Sequence, residues 1–204
     1  MYIYGASDQG RVIIDIIDSC EKIHGVFDDN PGIKEVLGYP VIGKVPANFE
    51  FDHQLFIAIG DNEIRKRLVL SYQERARFAT IIHEAAIISK RAILDEGCVI
   101  MEGAIVKVNC IIGKHVIVNT GASIDHDCTI GDFVHIAPQS TLCGGISIGE
   151  GTLVGANSII LPRVKVGDWC TIGAGSIVNA DIGDGETWID RGLKTNNIVK
   201  IIKK

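Results

Sequence analysis

The chain has 204 residues, 47% of them hydrophobic and 22% charged, with six cysteines, a formal net charge of −5 and a sequence pI of about 5.7. That length allows one or two domains with a sizeable core and excludes a small disulfide-stapled fold, while the acidic balance argues against nucleic acid and anionic membrane as partners. No hydrophobic run is long enough to span a bilayer and no signal peptide is evident, so a cytoplasmic protein is expected.

Residues 1–81 read as a small parallel α/β unit. Residues 1–4 form an apolar run, the turn GASDQG follows, and VIIDIIDSC continues at helical spacing and closes at Cys20. A second run, IHGVF, ends in Asp28, Asp29, Asn30 and Pro31; a third, LFIAIG, ends in Gly60, Asp61 and Asn62 before the helical EIRKRLVLSYQER. Strands that each end in polar turn residues predict a ligand crevice beyond their carboxyl ends. Glycine turns opening onto a helix offer N–H groups and a positive dipole end to phosphate, and an acidic residue after the second strand suits ribose hydroxyls. GASDQG lacks the second glycine of GxGxxG, so its glycines also have a purely structural reading.

From Ile82 to Val178 the period changes. Every sixth residue is Ile, Leu or Val, seventeen in succession, and the residue four places later is usually small, as at Ala86, Cys98, Cys110, Ser140 and Ser176. A fixed hexapeptide period belongs to a parallel β-helix: three hexads make a triangular coil of eighteen residues, and five to six coils stack at roughly 4.8 Å into a prism. The expected organisation is therefore an α/β domain over 1–81, a β-helix over 82–183 and a capping segment over 184–204, since open strand edges at the ends of the stack need cover. Four cysteines (Cys98, Cys110, Cys128, Cys170) fall at the small inward position, Cys143 follows an aliphatic position, and none forms a CxxC pair. Buried free thiols in a reducing compartment follow.

The unusual outward chemistry lies mid-helix, from Asn119 through Asp125, His126, Asp127 and His135 to Gly144 and Gly145. Eighteen residues separate His126 from Gly144, so the glycine should stack one coil above the imidazole, in a column with Val108 and Pro162. It leaves room and a backbone N–H for a ligand carbonyl. His135 is nine residues from His126, half a coil, and must point to the opposite side of the prism. Both histidines can meet one substrate only if they come from neighbouring subunits, and a triangular prism packs naturally as a homotrimer.

The Gly5-Ala6-Ser7 turn, the Asp28-Asp29 strand end, IAIGDNEIRKRL (57–68) and NTGASIDHDCTIGDFVHIAP (119–138) together resemble the sialic acid O-acetyltransferase and bacillosamine-pathway N-acetyltransferase family over nearly the whole chain. The resemblance implies a Rossmann-like domain followed by a left-handed β-helix, without a metal. It implies transfer of acetyl from acetyl-CoA to the 4-amino group of a UDP-linked 4-amino-4,6-dideoxy sugar, in bacterial surface-glycan or glycoprotein sugar biosynthesis. By position it makes His126 the general base, Asp127 its orienting carboxylate and Asn119 a supporting polar group. It places His135, Gly144, Ala156, Gly173 and Ala174 along acetyl-CoA, and Ser7, Asp8, Asp28, Asp29, Gly60, Asp61 and Asn62 on the nucleotide sugar. Where the family reads Gly-His this chain has Asp8-Gln9, and residues 188–197 lack the family's closing G-x-P-A-[KR] turn, which leaves the nucleotide end of CoA without assigned contacts.

Alternatives remain at this stage. A hydroxyl of sialic acid and the amine of a GDP-linked sugar are the alternative acceptors, and a nucleotide-sugar-binding scaffold without acetyl transfer is the non-enzymatic reading. A zinc hydratase would need a close histidine pair, whereas His115, His126 and His135 are spaced eleven and nine apart.

Overall fold

The computed structural model describes residues 1–17 and 21–189 and the backbone of the strand Val199–Ile201. The expected helix closure at Cys20 and most of the capping segment lie outside the described residues. Contacts divide the chain into two units, Met1–Ile81 and Ile82–Lys204.

The first unit holds strand β1 (Tyr2–Tyr4), helix α1 (Asp8–Ile17), β2 (Gly25–Phe27), a small hairpin β3 (Glu35–Val36) and β4 (Tyr39–Pro40), β5 (Leu55–Ile57) and α2 (Asn62–Tyr72). Strands β2, β1 and β5 form a parallel sheet in that order, with Tyr4 level with both Phe27 and Ile57. All three carboxyl ends therefore open side by side. Ile13, Ile14 and Ile17 recur at helical spacing and are buried with Ile3, Val26, Phe27 and Leu55. The turn after β1 is shorter than the sequence suggests, because Asp8, Gln9 and Gly10 already belong to α1. Gly10 has a steric reason: a Cβ there would come within 2.2 Å of the Gly5 carbonyl oxygen. The hairpin is absent from the sequence reading: Leu37 and Gly38 both take positive φ, 46° and 82°, as a type I′ turn requires, and a leucine gives no sequence signal for such a position.

The second unit is a prism of three parallel sheets. Its first face stacks Ile87–Ile88, Ile105–Val106, Ser123–Ile124, Thr141–Leu142, Ile159–Ile160 and Ile177–Val178; its second stacks strands from Ile93–Leu94 to Lys165–Val166; its third includes Ile117–Val118, His135–Ile136, Leu153–Val154 and Thr171–Ile172. Partners in each ladder are eighteen residues apart, as in Ile105↔Ser123 and Ser123↔Thr141. From Ile100 to Val178 the aliphatic sixth positions are buried, and Cys98, Ala104, Cys110, Ala122, Cys128 and Cys170 fill the small inward sites beside them. Ile82 departs from the pattern at 52% exposed, since it opens the stack and no earlier coil lies beneath it. At the far end the register shortens to sixteen, with Thr171 level with Thr187, and the buried Trp188 closes the core.

Each corner turns through one left-handed residue. From 97 to 175 every sixth residue has φ between 54° and 76°, including Asn109, Asp127, Phe133, Arg163 and Trp169. Residues other than glycine are strained in this region, with Asn and Asp the most tolerant. The strain is held by the ladder, in which the N–H of each such residue from His115 onward donates to the carbonyl nineteen positions earlier: Asp127 to Val108 (3.0 Å), Gly145 to His126 (2.9 Å), Arg163 to Gly144 (3.0 Å). Glycines serve close approach between coils. A Cβ on Gly149 would fall 2.2 Å from Asp168 Oδ1 and 2.5 Å from its backbone nitrogen, where that carboxylate already receives the Glu150 N–H at 2.7 Å. Gly149→Ala should therefore force two coils apart and cost about 1–3 kcal/mol, the usual price of overpacking, read as a lowered thermal midpoint.

Candidate active site

The corner between the first and second faces presents His126 and Asp127. His126 Nδ1 lies 2.7 Å from Asp127 Oδ2, and the side chains are 55% and 56% exposed. Asp127 Oδ1 receives the Asn109 amide from one coil below at 3.0 Å. That bond first, and the bond from His126 second, hold the Asp127 carboxyl below the usual carboxylate range. With Nδ1–H donating to the carboxylate, Nε2 is left as the acceptor of the neutral ring. Asp125 supports the corner by accepting the His126 N–H (2.8 Å) and pairing with Lys107 (3.2 Å), and its carboxyl is lowered by the same His126 N–H before the lysine.

Gly144 stacks above His126 as the spacing predicts. A Cβ there would sit 2.6 Å from both Cε1 and Nε2 of the imidazole, so only glycine leaves the ring in place. Its N–H has no hydrogen-bond partner among the described residues. One coil below, the equivalent N–H of His126 is taken by Asp125 Oδ1; at the position before Gly144 the chain has Cys143, which carries no carboxylate. A base nitrogen and a free amide donor thus share one small patch.

His135 lies on the third face, opposite this corner. Its Nε2 is 3.1 Å from Asn119 Nδ2, and Asn119 Oδ1 is occupied by the Thr120 N–H at 2.8 Å. The amide therefore donates to Nε2, and the His135 proton is carried on Nδ1. Sequence reasoning grouped Asn119 with His126; the structure bonds it to His135 instead. Ala156, Gly173 and Ala174 occupy the corner between the third and first faces, in the coils above Asn119. The expected acetyl-CoA residues thus fall on separate edges of the prism, Gly144 with His126 and the remainder with His135. His115, at 3% exposed, stacks on Phe133 with ring centroids 5.2 Å apart, away from both histidines. Among the described residues no group of three or more His, Cys, Asp or Glu side chains is placed to hold a metal ion. No described helix is long and apolar enough to cross a membrane.

In the first unit, residues 5–7, 28–29 and 60–62 meet at the carboxyl ends of the sheet, yet several of their polar groups serve the fold. Asp28 Oδ2 receives the Ala6 N–H (2.7 Å) and Oδ1 the Asn30 N–H (2.8 Å); Asp61 caps α2 through the Ile64 N–H (2.8 Å). Asn62 Oδ1 takes Arg65 NH2 at 2.8 Å, and the same guanidinium, 1% exposed, holds the carbonyls of Ile59 (3.0 Å) and Gly60 (3.1 Å). Asp8 pairs with Arg11. Ser7 and Asp29 stay exposed at the rim, and Asp29 accepts from the Tyr4 phenol, whose pKa is pushed up by burial first and this carboxylate second. Tyr4 and Arg65 escaped the sequence reading, the tyrosine as one more apolar strand residue and the arginine as one charge in a polar helix. A separate cavity of ≈ 640 Å³, lined by Met1, Phe51, Asp52, His53 and residues 73–77 among others, opens at the amino ends of the strands, the wrong end for this crevice.

Comparison with known proteins agrees with this layout. Residues 1–72 match the PglD N-terminal domain model, and residues 109–144 and 145–180 match the bacterial transferase hexapeptide (six repeats) model. PerB from Caulobacter crescentus, solved with CoA and GDP-perosamine, is 32% identical over 100% of this chain and 96% of its own, with a TM-score of 0.88. The acetyltransferase domain of PglB from Neisseria gonorrhoeae is 30% identical over 95% of this chain and 97% of its own, with a TM-score of 0.87. The same domain in complex with acetyl coenzyme A covers 93% of this chain at 30% identity, 95% of its own length and a TM-score of 0.83. The prism accordingly has the left-handed β-helix fold.

The carboxylate geometry has a measurable consequence. Since the folded pKa of Asp127 is depressed, its contribution to stability is present above the unfolded value and is lost as pH falls through the folded one. Asn109→Gly tolerates the left-handed backbone at that position (φ 60°) while removing the first-ranked donor. The Asp127 pKa should then rise toward an ordinary carboxylate value in a carboxyl-carbon NMR titration, and an unchanged value would show that the amide does not hold it.

Proposed function

Because this chain belongs to the hexapeptide-repeat sugar acetyltransferase family of the sialic acid O-acetyltransferases and bacillosamine-pathway N-acetyltransferases, we propose that it moves acetyl from acetyl-CoA to the 4-amine of a nucleotide-linked 4-amino-4,6-dideoxy sugar. The observation that carries this reading is the His126–Asp127 pair with Nε2 lying against Gly144. An amine that attacks a thioester must lose a proton as the tetrahedral oxyanion forms. Imidazole, with an unperturbed pKa of about 6.5, suits that task near neutral pH.

The acceptor nitrogen forms its bond to the acetyl carbon while His126 Nε2 takes the amine proton. Asp127 holds the Nδ1–H tautomer and stabilises the imidazolium, and the Gly144 N–H receives the oxyanion. Collapse of the intermediate breaks the carbon–sulfur bond, and the thiolate leaves with the proton from Nε2. A ping-pong route through cysteine is disfavoured: Cys128 is fully buried with its Sγ on the Cys143 carbonyl at 3.2 Å, and its pKa is raised first by the neighbouring Cys110 thiol and then by burial. Nucleotide-sugar recognition falls to the first unit, where Ser7, Asp8 and Asp29 are exposed at the rim while Asp28, Asp61 and Asn62 shape the turns. UDP is the nucleotide implied by the sequence resemblance; GDP is the second reading, favoured by the GDP-perosamine bound to PerB.

A thiol-release assay over UDP-, GDP- and CMP-linked acceptors identifies the sugar and separates amine from hydroxyl transfer. With the accepted sugar, His126→Asn should lower kcat by ~10²–10⁴ and leave acetyl-CoA binding intact, the loss typical of a positioned base. Near wild-type turnover, or parallel initial-rate lines, would remove His126 from the mechanism.

Assembly is part of the proposal. His126 and Gly144 occupy one edge, while His135, Asn119, Ala156, Gly173 and Ala174 occupy the third face and the edge beyond it, so one chain supplies two half-sites. A cyclic trimer brings the edge of one copy against the third face of the next and completes three sites. Analytical ultracentrifugation should show a homotrimer; a stable, fully active monomer would overturn the assembly.

A further inference from the structure

Charge is distributed unevenly along the upper prism. Between residues 127 and 189 the chain contains only two cations, Arg163 and Lys165, and both lie at the edge that carries His126. The edge between the second and third faces carries Asp132, Glu150 and Asp168, whose carboxylates include acceptors for backbone N–H groups one coil below, as at Lys114 and Glu150. Residues 137–139, 155–157 and 173–175, on the edge above Asn119, are uncharged. In an acidic chain, the sole positive charge above the acetyl-transfer corner is thus confined to one place.

Arg163 is tied to that corner by backbone. Its N–H donates to the Gly144 carbonyl at 3.0 Å, and its Cγ lies 3.4 Å from where a Cβ on Gly145 would be. The side chain is exposed, and among the described residues the guanidinium has no hydrogen-bond or ion-pair partner. Lys165 is also exposed; the facing carboxylate of Asp181 accepts the Lys165 N–H through Oδ1 at 2.8 Å. Further down this edge, Asp127, Asp125 and Lys107 are engaged with one another or with Asn109 and His126, and Lys90 and Arg91 lie lower still.

We propose that Arg163, with Lys165 in support, binds the pyrophosphate of CoA. The inference rests on acetyl-CoA being the co-substrate. One coil of about 4.8 Å separates the Arg163 backbone from Gly144 along the prism, and the side chain extends the reach further. The pantetheine arm between sulfur and pyrophosphate is equivalent to roughly four residue-lengths of chain, about 15 Å when extended. With the thioester at Gly144, an arm running up the edge delivers the pyrophosphate within reach of the extended guanidinium. Arg163 supplies planar, paired N–H donors suited to phosphate oxygens, and among the described residues they are in no ion pair, the nearby Asp181 carboxylate being engaged by the Lys165 N–H. The uncharged small residues Ala156, Gly173 and Ala174 on the other half-site leave space for the arm without repelling its phosphates.

Calorimetric titration with CoA and with 3′-dephospho-CoA tests the assignment without any acceptor sugar. Arg163→Gln keeps much of the side-chain length and adds no backbone strain beyond what arginine already bears at φ 64°. It should raise the Kd for both ligands alike, by about ten- to a hundredfold, the loss expected for a charged hydrogen-bond donor, with Arg163→Lys between wild type and Gln. Thermal midpoints matching the wild type confirm that the fold is kept. An unchanged Kd in Arg163→Gln overturns the proposal, as does a loss seen with CoA and absent with 3′-dephospho-CoA, which would move the contact to the 3′-phosphate. A wild-type protein that binds no CoA would instead bring down the co-substrate reading itself.

Discussion

The stacking of coils eighteen residues apart is the constraint on which the rest of the β-helix unit depends. Each inward aliphatic residue packs on its equivalents above and below, and each outward strand gives its N–H groups to the next coil, as Asp125 does to Leu142 at 2.9 Å. Because every coil repeats its predecessor, an outward side chain has a fixed column and a fixed height. A residue can be moved along a column only in steps of one coil, roughly 4.8 Å. Chemistry on such a scaffold is written by choosing which column positions are polar, which are small and which are charged.

His126 shows how little is needed once that frame exists. Asn109 one coil below steadies the Asp127 carboxylate, Asp125 beside it takes the His126 N–H, and Gly144 one coil above removes the side chain that would strike the ring. The left-handed corner conformation at Asp127, tolerated best by Asn, Asp and Gly, suits a carboxylate at that place. Structural and chemical demands coincide there. They part at Phe133 and Trp169, where bulky residues accept the same strained φ and the ring of Phe133 stacks on His115.

The first unit makes the opposite use of polar residues. Its crevice is shaped by groups that are spent on the protein itself, with Asp28 stitching the first turn to the second strand and Arg65 gathering the carbonyls of the third. A buried guanidinium that holds two carbonyls and a side-chain amide fixes a turn more firmly than a single cap, because several bonds must break together for it to open. What stays exposed at the rim is Ser7, Asp8 and Asp29.

The hexapeptide period, the three strand-to-helix turns, the inward cysteines and the stacking of Gly144 on His126 were all legible in the sequence, because each follows from a local repeat or a fixed offset along the chain. The hairpin at 35–40 was not legible, because Leu37 gives no signal for the left-handed turn position that it occupies. Tertiary structure alone decided the partnership of Asn119 with His135, the burial of Arg65, the exposure of Ile82 and the free N–H of Gly144. These depend on which groups arrive from other coils or strands, and on where a stack begins, neither of which is encoded in the spacing of the residues themselves. The place of Arg163 was legible too, since it follows Pro162 in the column of His126; that its guanidinium meets no partner among the described residues was decided by the folded prism.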